Sequence, residues 1–204
     1  MLKSINKVIK ILVFSDLVLL FGWGLITPIL AVFILESIKG GDAKVAGIAV
    51  GLYWLIKSVF QIPIANFLDK TKGENDDFYA LVFGTILASL APIGFIFSTQ
   101  PWQMYSLQGI QALGMAFAIP SWSAIFTRHI EKGREAFCWS LDSSALGIGT
   151  GVAGIIGGIV AKTFGFVPLF VGVAVLGIIS GLVVFLIKGE LSPKEKVYPM
   201  PKPK

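Results

Sequence analysis

The chain has 204 residues, of which 55% are hydrophobic and only 14% charged, with a net charge of +5. This composition leaves no room for a sizeable soluble domain. The positive charge would suit nucleic acid, but the basic residues flank apolar runs, so we expect no nucleic-acid partner. Cys138 and His129 are each the only residue of their type, which excludes an intrachain disulfide and predicts neither metal nor cofactor.

Six apolar stretches follow one another along the chain, and each reaches the roughly 20 residues that a membrane span needs. They cover residues 11–35, 45–68, 78–98, 103–127, 136–161 and 167–187. Residues 81–97 lack the alternation of a barrel strand, so helices are expected. The first stretch is too long for a secretory signal and contains Asp16. We therefore predict an all-α, multi-pass protein of the lipid bilayer, with six transmembrane helices in residues 11–188.

The basic residues predict the orientation of the spans. Most of the 17 lie in segments that would share one side of the membrane: Lys3, Lys7, Lys10, Lys70, Lys72, Arg128, Lys132, Arg134, Lys188, Lys194, Lys196, Lys202 and Lys204. The positive-inside rule then places both termini in the cytoplasm of a cell membrane. Segment 1–10 and the polar tail 189–204 would be cytoplasmic, and residues 128–134 would form a solvated loop that orients the protein.

Ionisable residues inside spans are costly and are functional candidates. Here they are Asp16 in span one, Lys57 in span two and Asp142 in span five. Lys57 would receive an anionic group of a small-molecule substrate or act as a proton-coupling base, or else form a buried ion pair or face a wet crevice. Asp16 and Asp142 would carry a coupling charge or have a structural role near the inner surface.

Polar and aromatic residues near Lys57 complete a candidate binding site. Tyr53 and Gln61 lie one turn to either side of Lys57 on the same helix face. Span four adds the neutral amides Gln108 and Gln111, and Trp23 in span one and Asn66 in span two are two further candidates. The full predicted substrate-binding set is Lys57, Tyr53, Gln61, Gln108, Gln111, Trp23 and Asn66.

Small residues in span five form two stripes. Gly147, Gly151, Gly154 and Gly158 share one helical face, and Gly149, Ala153 and Gly157 share another. Small residues at four-residue spacing let helix backbones approach closely in a membrane. We therefore expect span five to have close neighbours on two sides.

A shared spacing in spans one and four suggests an internal repeat. Gly22 precedes Pro28 by six residues, and Gly114 precedes Pro120 by six. These spans run in opposite directions, which suits a 3+3 inverted repeat of the kind found in transporter halves.

Three motifs appear in the order that one family shows. The segment Ala65-Asn-Phe-Leu-Asp69-Lys70-Thr-Lys-Gly73 keeps the acid–base pair of Gly-x-x-x-Asp-Arg/Lys-x-Gly-Arg-Arg/Lys. Span four reads Gln108-Gly-Ile-Gln111-Ala-Leu-Gly114, beside Arg-x-x-Gln-Gly-x-Gly. Five residues take the fixed positions of Gly-x-x-x-Gly-Pro-x-x-Gly-Gly: Gly149, Ala153, Gly154, Gly157 and Gly158. Together they resemble the N-terminal six-span half of a major facilitator superfamily transporter.

The resemblance implies half of the major facilitator fold, transport by alternating access, and a gating role for Asp69 and Lys70. The sequence also departs from the family. Residues 74–77, Glu-Asn-Asp-Asp, replace the closing basic pair of the loop motif. Gln108 stands where exporters of the family carry an arginine linked to proton transfer. Family members usually have two six-span halves, and this chain has one.

Three hypotheses follow for the function. The first is a half-size transporter of a small solute, working as a homodimer or with a second six-span half. The second is the N-terminal fragment of a longer transporter, whose interdomain linker would begin in the proline-rich tail 191–204. The third is a non-transporting membrane scaffold. We do not expect an enzyme, because the sequence offers no nucleophile–base pair or metal set.

Overall fold

The computed structural model describes residues 5–70 and 73–191. Lys72 and the part of the tail from residue 192 onward lie outside these ranges. Within the described residues the chain forms seven α-helices and a 3₁₀ helix at Phe185–Glu190. The α-helices are α1 (Lys7–Ile26), α2 (Leu30–Ser37), α3 (Ala43–Leu68), α4 (Asn75–Ile96), α5 (Pro101–His129), α6 (Glu135–Phe164) and α7 (Val167–Val184).

These helices make the six expected membrane spans. Helices α1 and α2 together form the first span, Lys7–Ser37, and α7 with the 3₁₀ helix forms the last, Val167–Glu190. The first span is interrupted next to Pro28, because proline cannot donate the hydrogen bond that a continuous helix requires. The prediction of an all-α, six-span membrane protein is confirmed.

The six spans fall into two interlocked sets of three. Helix α1 packs mainly against α6 and α7, α3 packs against α5, and α4 packs against α5 and α7. Exchanging α1 with α5, α3 with α6 and α4 with α7 reproduces the same pattern. This equivalence is that of the predicted 3+3 inverted repeat, and most packing joins one repeat to the other.

The glycines of the Gly–Pro spacing shared by spans one and four pack in matching ways. A Cβ atom at Gly22 would lie 3.3 Å from Leu176 Cβ on α7. At Gly114 it would lie 2.6 Å from the backbone nitrogen of Ala88 on α4. Since α4 and α7 are equivalent in the two repeats, both glycines allow the same close approach. The prolines differ, because Pro120 stays inside a continuous α5.

The core has one buried cluster near each end of the bundle. We call the end where α1, α4 and α6 begin the basic end. Its cluster includes Leu12, Phe78 and Phe126. The cluster at the opposite end includes Phe33 and Phe170, whose rings meet edge to face with centroids 4.8 Å apart. Between them a smaller cluster joins α1, α4 and α5. Any polar side chain at the level of this middle cluster therefore lies between the two larger apolar clusters at the ends of the bundle.

Candidate functional site

Lys57 lies near the middle of α3, about 17 Å from the helix end at Leu68 by a helical rise of about 1.5 Å per residue. Its Nζ atom lies 3.9 Å from the centroid of the Trp54 ring and 5.9 Å from that of Tyr53. An ammonium over an aromatic face gains electrostatic attraction from the ring quadrupole. Trp54 is thus a neighbour that our candidate set missed, although its i, i+3 spacing from Lys57 could have revealed it.

Trp23 and Tyr53 come together in the middle layer. Both pack against the buried cluster of Leu19, Ala88 and Met115. These side chains come from α1, α3, α4 and α5, so the cluster joins four helices at one level. Tyr53 also links this level to Lys57, one turn further along α3. The structure therefore brings three of the predicted binding residues into one region.

The remaining predicted binding residues are placed differently. Gln108 and Gln111 on α5 are buried, and the Oε1 atom of Gln108 has no hydrogen-bond partner among the described residues. Gln61 is half-buried, one turn beyond Lys57. Asn66 is exposed, and 100° per residue turns it away from the face of Tyr53 and Lys57. Its assignment to the site stays a prediction without support from its neighbours.

Asp16 on α1 and Asp142 on α6 belong to two helices that pack against each other. Their carboxyl groups interact electrostatically. Asp142 is only 5% exposed, and its Oδ1 atom has no hydrogen-bond partner within the described parts of the chain. Across those same residues, neither carboxylate forms an ion pair with Lys57. The buried ion pair considered for Lys57 is therefore not what the structure shows.

A second group of charges ties α4 to α5 at the basic end. Arg128 donates a hydrogen bond from Nη1 to Oδ2 of Asp77, whose side chain is 2% exposed. Glu74 Oε1 lies 3.5 Å from His129 Nδ1. Arg128 also interacts electrostatically with Asp69, one of the two predicted gating residues. Asp69 in the predicted gating segment is thus close enough to these charged residues of α4 and α5 to interact with them electrostatically.

The expectation of a solvated loop over residues 128–134 is wrong at its start. Arg128 and His129 belong to the last turn of α5, where they interact with the acidic residues that follow Gly73. Glu131 and Arg134 form an ion pair at 3.6 Å closer to the surface.

The two small-residue stripes of α6 have different surroundings. A Cβ atom at Gly157 would lie 2.0 Å from the carbonyl oxygen of Leu25, and one at Gly149 would lie 2.4 Å from Leu17 Cδ1. Ala153, the third member of that stripe, is fully buried. The stripe of Gly149, Ala153 and Gly157 therefore packs closely on a neighbouring helix, as the spacing predicted, and that helix is α1.

The stripe of Gly147, Gly151, Gly154 and Gly158 is largely open. A Cβ atom at Gly147, Gly151 or Gly158 would meet nothing within 4 Å, and one at Gly154 would have its nearest neighbours at 3.9 Å. The predicted packing of Gly158 thus has no counterpart among the described helices, whereas Gly154 lies at the edge of the contact with the first span. The second close neighbour of span five stays a prediction.

Helix α3 has a similar open side. A Cβ atom at Gly47 or Gly51 would meet nothing within 4 Å. Only 17% of the most apolar window of α3 is buried, and the same holds for α6, against 39–50% for the other spans. Large apolar side chains such as Leu55 and Ile155 are exposed beside these glycines. Helices α3 and α6 therefore each present an uncovered side.

An apolar cavity of about 450 Å³ lies between α1, α6 and α7. Its lining includes Leu17, Phe21 and Gly149, but none of the polar candidates. It therefore does not serve as the polar site described above.

These features define a class of protein. Six apolar helices in two interlocked repeats, with polar side chains held at mid-membrane level, form one half of a secondary transporter. The sequence profile of the family described as Major Facilitator Superfamily matches residues 12–203. The chain belongs to the major facilitator superfamily, a family of transporters rather than enzymes, and the resemblance seen in its motifs is confirmed.

A solved structure has the same fold. The fold is similar to that in the in meso crystal structure of the POT family transporter PepTSo, with a TM-score of 0.76 and 15% sequence identity. The match covers 95% of this chain and 40% of that chain. At this identity the likeness shows the fold alone. This chain spans less than half the length of that transporter, and no curated protein matches it by sequence.

Proposed function

We propose that the chain is a half-size transporter that moves a small solute by alternating access, and that two copies form the working unit. The observation that carries the proposal is the open surface of α3 and α6. It combines unfilled glycine positions with a lysine in mid-span, a residue that lipid accommodates poorly. A second six-span unit over this surface would cover both.

The geometry of the open surface favours a second copy. Helices α3 and α6 run in opposite directions and carry their open glycines at similar depths. A rise of about 1.5 Å per residue places Gly47 and Gly51 about 6 and 12 Å from the start of α3. The same rise places Gly158 and Gly154 about 9 and 15 Å from the end of α6. In a twofold dimer, α3 of each copy would pack against α6 of the other, glycine to glycine.

The proposed solute site lies between the halves at the level of Lys57, Tyr53 and Trp23. Lys57 would supply the positive charge for an anionic group of the solute. Its contact with Trp54 is compatible with this role, because a cation–π contact is worth only about 0.5–2 kcal/mol and an anion can replace it. Gln108 would offer its unpartnered amide oxygen to a donor group.

We further propose that Asp69 and Lys70 belong to the gate at the basic end. Asp69 lies within the electrostatic reach of Arg128, and Arg128 holds Asp77 at the start of α4. A movement of the segment between α3 and α4 would therefore change the electrostatic interactions of Arg128 at the end of α5.

Cysteine crosslinking tests the arrangement of the dimer. Cys138 is first replaced by serine, and Gly51→Cys and Gly158→Cys are then introduced into the same chain. Mild oxidation of the chain in liposomes should give a covalent dimer. The matched control carries Phe83→Cys and Val175→Cys, which are exposed but lie on α4 and α7, and should remain monomeric.

Native mass spectrometry of the same full-length chain supplies the stoichiometry. A mass of two chains with the α3–α6 crosslink supports the proposal. A monomer, or crosslinking only through α4 and α7, contradicts it and favours a different six-span partner or a scaffold that transports nothing.

A further inference from the structure

We propose that the apolar cavity between α1, α6 and α7 is a groove that binds one acyl chain of an anionic phospholipid, with Lys10 beside the phosphate of that lipid. The inference goes beyond transport and does not depend on the proposed function. It rests on the lining of the groove, on its depth in the membrane and on the charge at its basic end.

The groove exists because α6 and α7 both pack along α1 but scarcely touch each other. Its floor comes from α1 and includes Leu17 and Phe21. On α6 it is lined by Ile148, Gly149 and Val152. The gap between α6 and α7 is therefore an opening in the outer surface of the bundle, with α1 at its base.

The lining suits an acyl chain and nothing polar. Every residue that lines the groove is apolar, so neither water nor a charged group would find a hydrogen-bond partner there. Ile148 is 71% exposed and Val152 46%, so the groove can be reached from the surrounding hydrocarbon. A chain lying in it would supply the dispersion contacts that the lining residues otherwise lack.

The groove is separate from the two surfaces used by the proposed function. At 100° per residue, Trp23 lies about 120° around α1 from Leu17, so the solute site faces another side of that helix. Gly158 lies nine residues beyond Gly149, which is about two and a half turns, and so points to the opposite side of α6. A second copy packed on Gly158 would therefore leave the groove open to lipid.

The depth of the groove matches one leaflet of the bilayer. Lys10 precedes Leu17 by seven residues, almost two turns, so both lie on the same face of α1 about 10 Å apart along its axis. Phe21 lies about 6 Å deeper than Leu17. The floor thus lies about 10–16 Å inward from Lys10, and half of the hydrocarbon core is about 15 Å thick. A phospholipid whose phosphate contacts Lys10 can therefore place an acyl chain along the groove.

The charge at the basic end favours an anionic headgroup. Lys10 is exposed and forms no ion pair within residues 5–70 and 73–191. Lys7, one turn earlier, is paired with Glu190 at 2.9 Å. The stem of a lysine can follow an apolar surface while its ammonium group reaches the polar region, and lysines at the membrane surface attract anionic lipids. Lys10 is thus placed to select an anionic phospholipid over a zwitterionic one.

Native mass spectrometry tests whether the groove retains a lipid. The full-length chain is released from vesicles of equal parts dioleoylphosphatidylglycerol and dioleoylphosphatidylcholine, which differ only in the headgroup. The parent chain should retain one lipid, and Val152→Phe, which fills the groove, should lose most of it at unchanged helix content. The matched control is Val171→Phe on α7, because Val171 is also 46% exposed but does not line the groove. No retained lipid on the parent chain, or equal retention by the two variants, would overturn the proposal.

The same spectra test the role of Lys10. In the parent chain, phosphatidylglycerol should exceed phosphatidylcholine about fivefold, the ratio expected for one lysine near the surface. Lys10→Gln should retain the two lipids equally. The control Lys44→Gln, an exposed lysine at the opposite end of the bundle, should keep the preference. A preference that survives in Lys10→Gln would overturn the assignment of the headgroup.

Photolabelling of the parent chain covers the case in which a variant does not fold. Phosphatidylglycerol with a diazirine midway along one acyl chain should label mainly residues 17–21 and 145–152 in vesicles, and unlabelled phosphatidylglycerol should compete. Equal labelling of all lipid-facing helices would overturn the proposal. Protection by decane but not by phosphatidylglycerol would assign the groove to an uncharged solute instead. A disulfide dimer through Ile148→Cys in a Cys138→Ser background would place a second copy there, which equally contradicts a lipid.

Discussion

The contact between α1 and α6 should make two adjacent glycines respond oppositely to the same substitution. In Gly157→Ala the new methyl group would be 2.0 Å from the carbonyl oxygen of Leu25 and 2.8 Å from its carbonyl carbon. In Gly158→Ala it would meet nothing within 4 Å. Because the obstacle at Gly157 is backbone, no side-chain rotation can relieve it, and the two helices must separate.

The expected free energies follow from two opposing terms. Overpacking a tight contact costs about 1–3 kcal/mol, while alanine in place of glycine inside a helix gains about 0.5–1 kcal/mol. Gly157→Ala should therefore destabilise the monomer by up to about 2.5 kcal/mol, by the difference of these terms. Gly158→Ala should be neutral or slightly stabilising. The helix-propensity term is common to both variants, so the gap between them isolates the contact with Leu25.

Unfolding in mixed micelles of mild detergent and SDS measures this gap. Helix content by circular dichroism is followed against SDS fraction for both variants and the parent chain, at a protein concentration that keeps the chain monomeric. Equal midpoints for Gly157→Ala and Gly158→Ala would refute the assigned contact between α1 and α6.

Three further outcomes are expected. Arg128→Met should destabilise the fold by about 3 kcal/mol, because it leaves the buried carboxylate of Asp77 without its partner, and in an Asp77→Asn background the same change should cost much less in the SDS titration. Ser180→Ala removes a buried hydrogen bond to Ser15 and should cost about 1 kcal/mol by the same titration; no change would contradict that bond. Lys57→Met should abolish transport of an anionic solute without changing insertion or helix content, whereas Lys57→Arg should retain part of it; full activity of Lys57→Met would remove Lys57 from the site.

Much of the fold could be predicted because the membrane imposes simple rules. Span number follows from the length of apolar runs, and the four-residue spacing of Gly149, Ala153 and Gly157 correctly indicated a close helix contact. Spacing defines a face of a helix but does not say which neighbour covers it. For that reason α1 could not be named as the partner of one stripe, nor could the other stripe be recognised as open.

The charged residues show a second limit of the sequence. Asp77 and Arg128 are 51 positions apart, and nothing local in either segment identifies their pairing. Their proximity depends on the packing of α4 against α5, which only the three-dimensional fold provides. The electrostatic contact between Asp16 and Asp142 likewise requires α1 and α6 to lie side by side.

The interlocking of the two repeats has a consequence for synthesis in the cell. Within the first three spans, α1, α3 and α4 have little packing with one another, since their main partners are α5, α6 and α7. When these early spans leave the insertion machinery, they have no stable arrangement to adopt. Helix α3, which carries Lys57, gains its main packing partner only when α5 has been inserted. Assembly would therefore proceed late and in one step, and a chain interrupted after α4 should be recognised and degraded as unassembled.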